Sequence, residues 1–494
     1  MTLERETKLR APATFELPEL SDVPGVVAAA AEPRRFTTVY VDTPDLRLAR
    51  WGCSLRHREG DGWTLKLPRT SVGATVVRDE LAFGGEARRV PAEASDLISG
   101  YARGADVRPV VRLRTLRRRI ELADEHGSPV GEVVDDEVSV MDGPRVAARF
   151  REIEVEAATP ESDPRLEGVV SRLVVAGASP TDGTPKYQQA LGGRASAPPD
   201  VVAPELGPDA SVGEVVRGAI ATSVVRLLHH DAGVRMGGDL EDVHQARVAT
   251  RRLRSDLRTF RDVLDPEWDA GLREELGWLG AELGTVRDLD VQLERLAGLV
   301  ARLPDEDRTV GERLVSERAR RRDEARAHLL GAMRSERYLA LLDRLVEDAR
   351  EPAVLPDAAP APAEMMLATV MERPWKHLKA AMDGLGPGSP DTDLHLARIR
   401  TKRVRYAAEA VAPVFGKGAR AFAREAAALQ EVLGEHQDAV VGAAWLRAAA
   451  QGGARRAFVA GQLATLERQA AAAARARWPD AWKRLTRKRL RFWP

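Results

Sequence analysis

The chain has 494 residues, long enough for two or three domains, each with a core of its own. Lys+Arg and Asp+Glu each number 75, so the net charge is zero and the simplest case for nucleic-acid binding, a globally basic chain, is gone. A lone Cys53 excludes an internal disulfide, no apolar run reaches the roughly 18 residues of a membrane span, and the opening MTLERETK lacks a secretory leader's apolar stretch, which together point to the reducing cytoplasm.

Up to about residue 195 the texture is strand-like: alternating segments such as SLRHR, WTLKLP, VVRLRTL and FREIEVEA, broken by Gly, Asp and Pro turns. Side chains two apart on a strand share a face. That rule groups Glu4, Glu6 and Lys8; Arg56 and Arg58; Arg112 and Arg114; and Glu152, Glu154 and Glu156. Leu55, Val111, Leu113, Ile153 and Val155 fall on the alternate side. A single such strand would be an ordinary sheet with its polar face in water. Four of them, extended by Lys66 and Glu80, bring like charges together that repel unless ions of opposite sign sit between. A barrel with apolar side chains outward under helices and charges lining a hydrated interior is more economical. Its cations suit a polyanion. Its carboxylates suit a hard divalent ion, Mg²⁺ or Mn²⁺, since no Cys and no His pair is on offer. There is no Walker-type glycine loop, which disfavours a P-loop mechanism.

The opening ERETK (Glu4, Glu6, Lys8), the block YVDTPDLRLARWGCSLRHREGDGWTLKLP at 40–68, the three-Glu strand and the Lys-Tyr of TPKY together resemble the CYTH, or triphosphate tunnel metalloenzyme, superfamily over residues 1–195. The resemblance implies an eight-stranded antiparallel tunnel in which Glu4, Glu6, Glu152, Glu154 and Glu156 hold one or two divalent metals. It implies that Lys8, Arg56, Arg58, Lys66, Arg112 and Arg114 clasp phosphate oxygens. Lys186 matches the family's late lysine, with Pro185 where the family has serine, and Asp135 and Glu80 match acidic tunnel positions. The implied chemistry is hydrolysis of a phosphoanhydride, the cations and metal neutralising phosphate oxygens while a metal-bound water attacks in line. Adenylate cyclase-like and thiamine-triphosphatase-like activities belong to the same superfamily. The shared charges read the triphosphate and leave those alternatives open, as they do a non-catalytic polyphosphate-binding scaffold.

Residues 192–213, GGRASAPPDVVAPELGPDASVG, carry Pro, Gly and small polar residues without an apolar period, and a linker is expected over 196–210. Beyond it, long Ala-, Leu-, Glu- and Arg-rich segments have helical periodicity. They repeat. VHQARVATRRLRSDLRTFRDVL (243–264) aligns with LHLARIRTKRVRYAAEAVAPVF (394–415), and Leu279, Leu283, Gly284 and Asp288 recur as Leu429, Leu433, Gly434 and Asp438. A duplicated helical unit, about 211–350 and 364–494, is the reading.

At 100° per residue His244, Arg247, Arg251, Arg254 and Arg258 fall within an arc of about 80°, opposite Ala246, Ala249, Leu253, Leu257 and Phe260. The second copy repeats the strip with His395, Arg398, Lys402 and Arg405. Solvated helix faces intersperse both signs, whereas stacked like charges repel, so a polyanion is the expected relief. Zinc on the histidines is the weaker reading, with no nearby Cys or acidic partner. HQARVATRRLR, HLARIRTKRVRY, LGTVRDLD and LGEHQDAV resemble the CHAD, or conserved-histidine α-helical, domain from about 211 to the end. The resemblance implies two related four-helix bundles flanking a basic groove for inorganic polyphosphate, and it adds Arg252 and Arg403 to the contacts. Nucleic acid is disfavoured because aromatic platforms are sparse, although the basic Trp-containing tail RWPDAWKRLTRKRLRFWP keeps it as an alternative.

The expected protein is therefore α+β: an N-terminal eight-stranded antiparallel β-barrel, then an all-α domain. Its expected activity is metal-dependent hydrolysis of inorganic triphosphate or a relative, in the cytoplasm, where the helical half could dock it on polyphosphate granules.

Overall fold

The alternating segments form β1 (Glu6–Ala11), β2 (Val27–Ala30), β3 (Arg34–Asp42), β4 (Ser54–Arg58), β5 (Gly62–Pro68), β6 (Arg78–Phe83), β7 (Arg108–Ala123), β8 (Pro129–Asp142), β9 (Arg145–Ala157) and β10 (Ser179–Pro180). The computed structural model describes residues 6–68, 78–159, 164–181 and 183–493, and the chain divides into two units, 1–200 and 201–494. In the first, the antiparallel strands run in the order β10-β1-β9-β8-β7-β3-β4-β5-β6, with β2 beside the far end of β7. Among the described residues ten strands appear where eight were expected. Residues 31–33, ending in Pro33, which has no N–H to give a ladder, split the position beside β7 into β2 and β3, and the two-residue β10 is added beside β1. Among the described residues no ladder joins β6 to β10.

Four helices serve this sheet: α1 (Arg47–Arg50), α2 (Ala92–Ala102), α3 (Pro164–Val175) and α4 (Lys186–Leu191). Leu9, Val133, Ile153 and Val155 pack one face against Val169 and Leu173 of α3 and against Phe15, Leu20 and Val23. On the other face the end nearest α4 is apolar too. Tyr40, Val111, Leu113 and Val138 enclose Tyr187, whose ring stacks on Tyr40 at 5.3 Å. Asp42 of the DTPD segment shapes this end by accepting bonds from the backbone N–H groups of Thr43, Leu48 and Ala49, so that it caps α1. Part of the expected linker is anchored to the ends of α1 and α2: Trp51 and Arg103 both donate to Asp200, and Arg50 donates to the Pro198 carbonyl.

The second unit is helical: α5 (Val212–Met236), α6 (Leu240–Phe260), α7 (Pro266–Val300), α8 (Asp305–Met333), α9 (Glu336–Arg350), the single turn α10 (Ala363–Met366), α11 (Glu372–Asp383), α12 (Asp391–Ala449) and α13 (Ala454–Leu485). Ser211 and Glu214 form a capping box that starts α5, and Asp265 with Pro266 starts α7. The repeat explains the length of α12. Its first part is the counterpart of α6 and its second that of α7, and where α6 ends before Asp265 the second copy has Gly416 at φ +61, a kink that leaves the helix axis broken but the chain helical on both sides. The first copy contributes five helices and the second four helical segments, with α6 packed on α12.

Candidate functional site

Strand register decides which charges meet. Lys8 lies opposite Glu154, Arg117 opposite Asp136, Asp136 opposite Glu152, Arg58 opposite Thr38, and Lys66 opposite Glu80, all on one face of the sheet. Lys8 Nζ stands 3.1 Å from Glu154 and Lys66 Nζ 2.7 Å from Glu80, which also holds Arg56 at 3.6 Å. Lys186, in the first turn of α4, reaches Asp136 at 2.6 Å, Glu154 at 3.1 Å and Glu152 at 3.3 Å. Arg117 makes a two-pronged bond to Asp136 at 2.7 and 2.8 Å, and Arg58 and Arg117 both stack on Phe36. The acids of this face are hidden: Asp136, Glu152 and Glu154 are 1%, 2% and 7% exposed. With apolar residues buried on the other face, neither side of β8 and β9 is simply in water, unlike a half-exposed sheet.

Three expectations are corrected. Arg112 and Arg114 are exposed on the opposite face, across from Val39 and Thr37. The alternation Val111, Arg112, Leu113, Arg114 fixes only which residues go together. Here its apolar members point towards Tyr187, because that end of the charged face is filled by a hydrophobic plug. Asp135 likewise faces away, bonded to Arg151 and Arg118, and Asp136 takes the inner position. Arg117 was missed in a run of three arginines, 117–119, where alternation alone allows either phase. Glu4 and the side chain of Glu6 lie outside the described residues; Glu156 is opposite Glu6 in the β1–β9 ladder.

The buried charges tune one another. Burial pushes the Glu152 carboxyl up, an effect that Lys186 opposes and Glu154 reinforces. Burial would do the same to Glu154, but Lys186 and Lys8 outweigh it and hold that carboxyl well below the usual range. Burial works against the Lys186 ammonium, yet Glu154, Asp136 and Glu152 raise its pKa above that of a free lysine. Glu152 Oε2 accepts from Gln189 at 2.8 Å, while Oε1 is buried with an ion pair to Lys186 but no hydrogen bond. Neighbouring carboxylates, one with a buried oxygen that accepts no hydrogen bond, and no sulfur or imidazole beside them, fit a hard divalent cation. Among the described residues no group of three or more His, Cys, Asp or Glu side chains is disposed to hold a metal, so Glu4 and Glu6 would have to complete the set.

In the helical unit the two basic strips meet. Arg247, Arg251 and Arg398 all press on Lys402, and with burial as the largest influence they lower its ammonium pKa to about 7. Burial also lowers the pKa of His244, helped by Arg287, Arg251 and Arg247. Arg251 Nε donates to the Tyr406 hydroxyl at 2.8 Å, and the guanidinium of Arg254 lies over Gly277 and Gly280 of α7. His395 Nδ1 is buried and finds no partner among the described residues. Arg405 departs from the strip to pair with Glu409 at 2.7 Å, and Arg252, which the resemblance added from off the strip, reaches the same carboxylate at 3.1 Å. Arg403 sits near Arg258, on another side of α12. Tyr406 and Arg287 had no sequence signal, since neither repeats at the duplicated spacing.

Residues 2–169 match the CYTH domain and residues 218–447 match the CHAD domain. Over 462 residues, 89% of this chain and 87% of theirs, the sequence is 33% identical to uncharacterized proteins from two strains of Mycobacterium tuberculosis. Similar solved structures include PptA from Streptomyces chartreusis, 25% identical with a TM-score of 0.47 over 56% of this chain and 100% of that one. Another is the CHAD domain of the plant Ricinus communis, 27% identical with a TM-score of 0.47 over 57% and 95%. Among the described residues no helix is long and apolar enough to cross a membrane.

Proposed function

The chain belongs to the proteins that join a CYTH domain to a CHAD domain, and from that premise we propose that it is a metal-dependent hydrolase of inorganic triphosphate whose helical half binds inorganic polyphosphate. The observation that carries the first part is the buried network of Lys8, Arg117 and Lys186 around Asp136, Glu152 and Glu154. Burial of that many ions is costly unless a ligand of matching charge and shape gains from it. Lys8, Arg56, Arg58, Lys66, Arg117 and Lys186 bind and orient the phosphate chain, neutralising oxygens on both sides of the bond that breaks. CYTH domains depend on a metal, generally Mg²⁺ or Mn²⁺. Glu152, Glu154 and Glu156, with Glu4 and Glu6, would hold it, and it would add charge neutralisation at the phosphates and a water of lowered pKa. An enclosed channel accounts for acids hidden on one face while apolar residues are covered on the other.

Convergence of Arg247, Arg251, Arg398 and Lys402 supports the second part, since crowding that depresses a lysine is relieved by a polyanion. A cytoplasmic location beside polyphosphate granules follows from the same chemistry. The test is phosphate release from tripolyphosphate with Mg²⁺ or Mn²⁺, beside ATP and thiamine triphosphate. Glu152→Gln/Glu154→Gln should lose the activity; full turnover by that variant, or preference for ATP or thiamine triphosphate, would overturn the assignment.

A further inference from the structure

Besides the central strip, the helical unit has a second cationic concavity of about 410 Å³, at the C-terminal end of α6. Its walls are Arg258 and Thr259 of α6, Arg273 of α7, Arg373 and His377 of α11, and Arg400 and Arg403 of α12. On α12, Arg403 is rotated by about 140° from Arg398, so the concavity opens on a different side of that helix from the strip. Some of these cations are satisfied: Arg273 by Asp269 at 2.8 Å, Arg400 by the His377 carbonyl at 2.6 Å, and the rim residue Arg261 by Asp262 at 3.1 Å. Arg258, Arg373 and Arg403 have no ion pair or hydrogen bond among the described residues. Arg403, Arg254 and Arg273 stand close enough to disfavour charge on Arg258, whose pKa burial also lowers. The first turn of α11 faces the same space through Arg373 and Pro374.

Three unpaired guanidiniums on one concavity favour a compact group of high charge. The terminal phosphoryl group of a linear phosphate chain is such a group, because it carries a second ionisable oxygen with a pKa near 6, while each internal phosphate carries one charge. We propose that this concavity holds the end of a linear polyphosphate, Arg258, Arg373 and Arg403 binding the terminal oxygens, while the strip of Arg247, Arg251, Arg398 and Lys402 takes internal phosphates. The inference rests on the polyphosphate reading of the helical unit and adds to it a preference for chain ends.

Binding of the full chain, without divalent metal, to medium-length polyphosphate with free ends and to the same polymer with both ends blocked as phosphoramidates tests it. Arg373 is exposed, so Arg373→Ala leaves the core intact. Blocking should weaken wild-type binding at least fivefold and Arg373→Ala binding less than twofold. Lys402→Ala should weaken both polymers alike and keep the preference. Equal binding of both polymers by the wild type, or an undiminished preference in Arg373→Ala, overturns the end site alone. Absence of any polyphosphate binding overturns the underlying reading as well.

Discussion

Arg247 of α6 holds Asp288 of α7 at 2.7 Å, and its counterpart in the second copy, Arg398, faces Asp438 at 3.8 Å. On the proposed polyphosphate reading each acid competes for its arginine with a phosphate, and an anionic polymer must displace it. Asp288→Asn/Asp438→Asn should therefore tighten polyphosphate binding several-fold, about 1 kcal/mol for two exposed pairs. Arg247→Ala/Arg398→Ala should weaken it by about a hundredfold, at roughly 1.5 kcal/mol per charge-assisted bond. Titration calorimetry at two salt concentrations measures both, and weaker binding by the Asn variant would contradict the competition.

Lys402, lowered to about 7 by burial and by Arg398, Arg251 and Arg247, gives the strip a pH dependence. An anion favours the protonated form, so polyphosphate affinity should fall as pH rises through about 7 and the complex should take up a proton. Lys402→Arg, charged throughout, should flatten the profile. The sign for stability is opposite. The unfolded lysine keeps its proton up to its ordinary 10.5 while the folded one loses it near 7, so the free protein should gain stability between those values. Thermal unfolding at pH 6.5 and 9, wild type against Lys402→Arg, checks it.

Arg112 and Arg114 are on the exposed face, while Arg117 is bound to Asp136. Arg112→Ala/Arg114→Ala should keep phosphate release within twofold of wild type. Arg117→Ala should lower it at least a hundredfold, because it removes a proposed phosphate ligand together with the two-pronged bond that holds Asp136. The reverse ranking in a malachite-green assay would return the two outer arginines to the site.

What was legible in the sequence follows from what each signal contains. Alternation in FREIEVEA identified Glu152, Glu154 and Glu156 as one face, and the helical repeat identified Arg247 and Arg398 as equivalent residues. Alternation has two phases and says nothing about which face a strand turns inward. At VVRLRTL the inward phase is set by Tyr187, a residue some 70 positions away that plugs the sheet's end, so Arg112 and Arg114 were misplaced and Arg117 overlooked. The same ambiguity exchanged Asp135 for Asp136. On the helices, 100° geometry located the strip, but Glu409, one turn on, draws Arg405 from it, and the reach of Arg252 on α6 to the same carboxylate on α12 is a tertiary contact that periodicity does not encode.

Lys186 is the counter-ion for three buried acids, so its removal should be felt in stability as well as in turnover. Lys186→Met should cost about 3–5 kcal/mol in urea unfolding, the usual penalty for orphaning buried charge. Adding Glu152→Gln should recover part of the loss. In the wild type Glu154 is held below its ordinary 4.5, so its contribution is complete above that pH and is lost as pH falls below it. Lys186→Met should show a weaker acid dependence. Equal urea midpoints for wild type and Lys186→Met would mean that water, not Lys186, solvates these acids.

The Glu152–Glu154 pair should also couple metal to protons. Burial, opposed by Lys186 and reinforced by Glu154, raises the pKa at which Glu152 gives up its proton. A divalent ion can take up the Glu152 oxygens only as the proton leaves, so Mn²⁺ binding should release a proton and strengthen as pH rises. Calorimetry in two buffers of different ionisation enthalpy reads the proton count, and Glu152→Gln should abolish the release together with most of the affinity. Unchanged Mn²⁺ affinity in Glu152→Gln would remove this residue from the metal set and leave the charge of Glu154 matched by Lys8, Lys186 and Arg117.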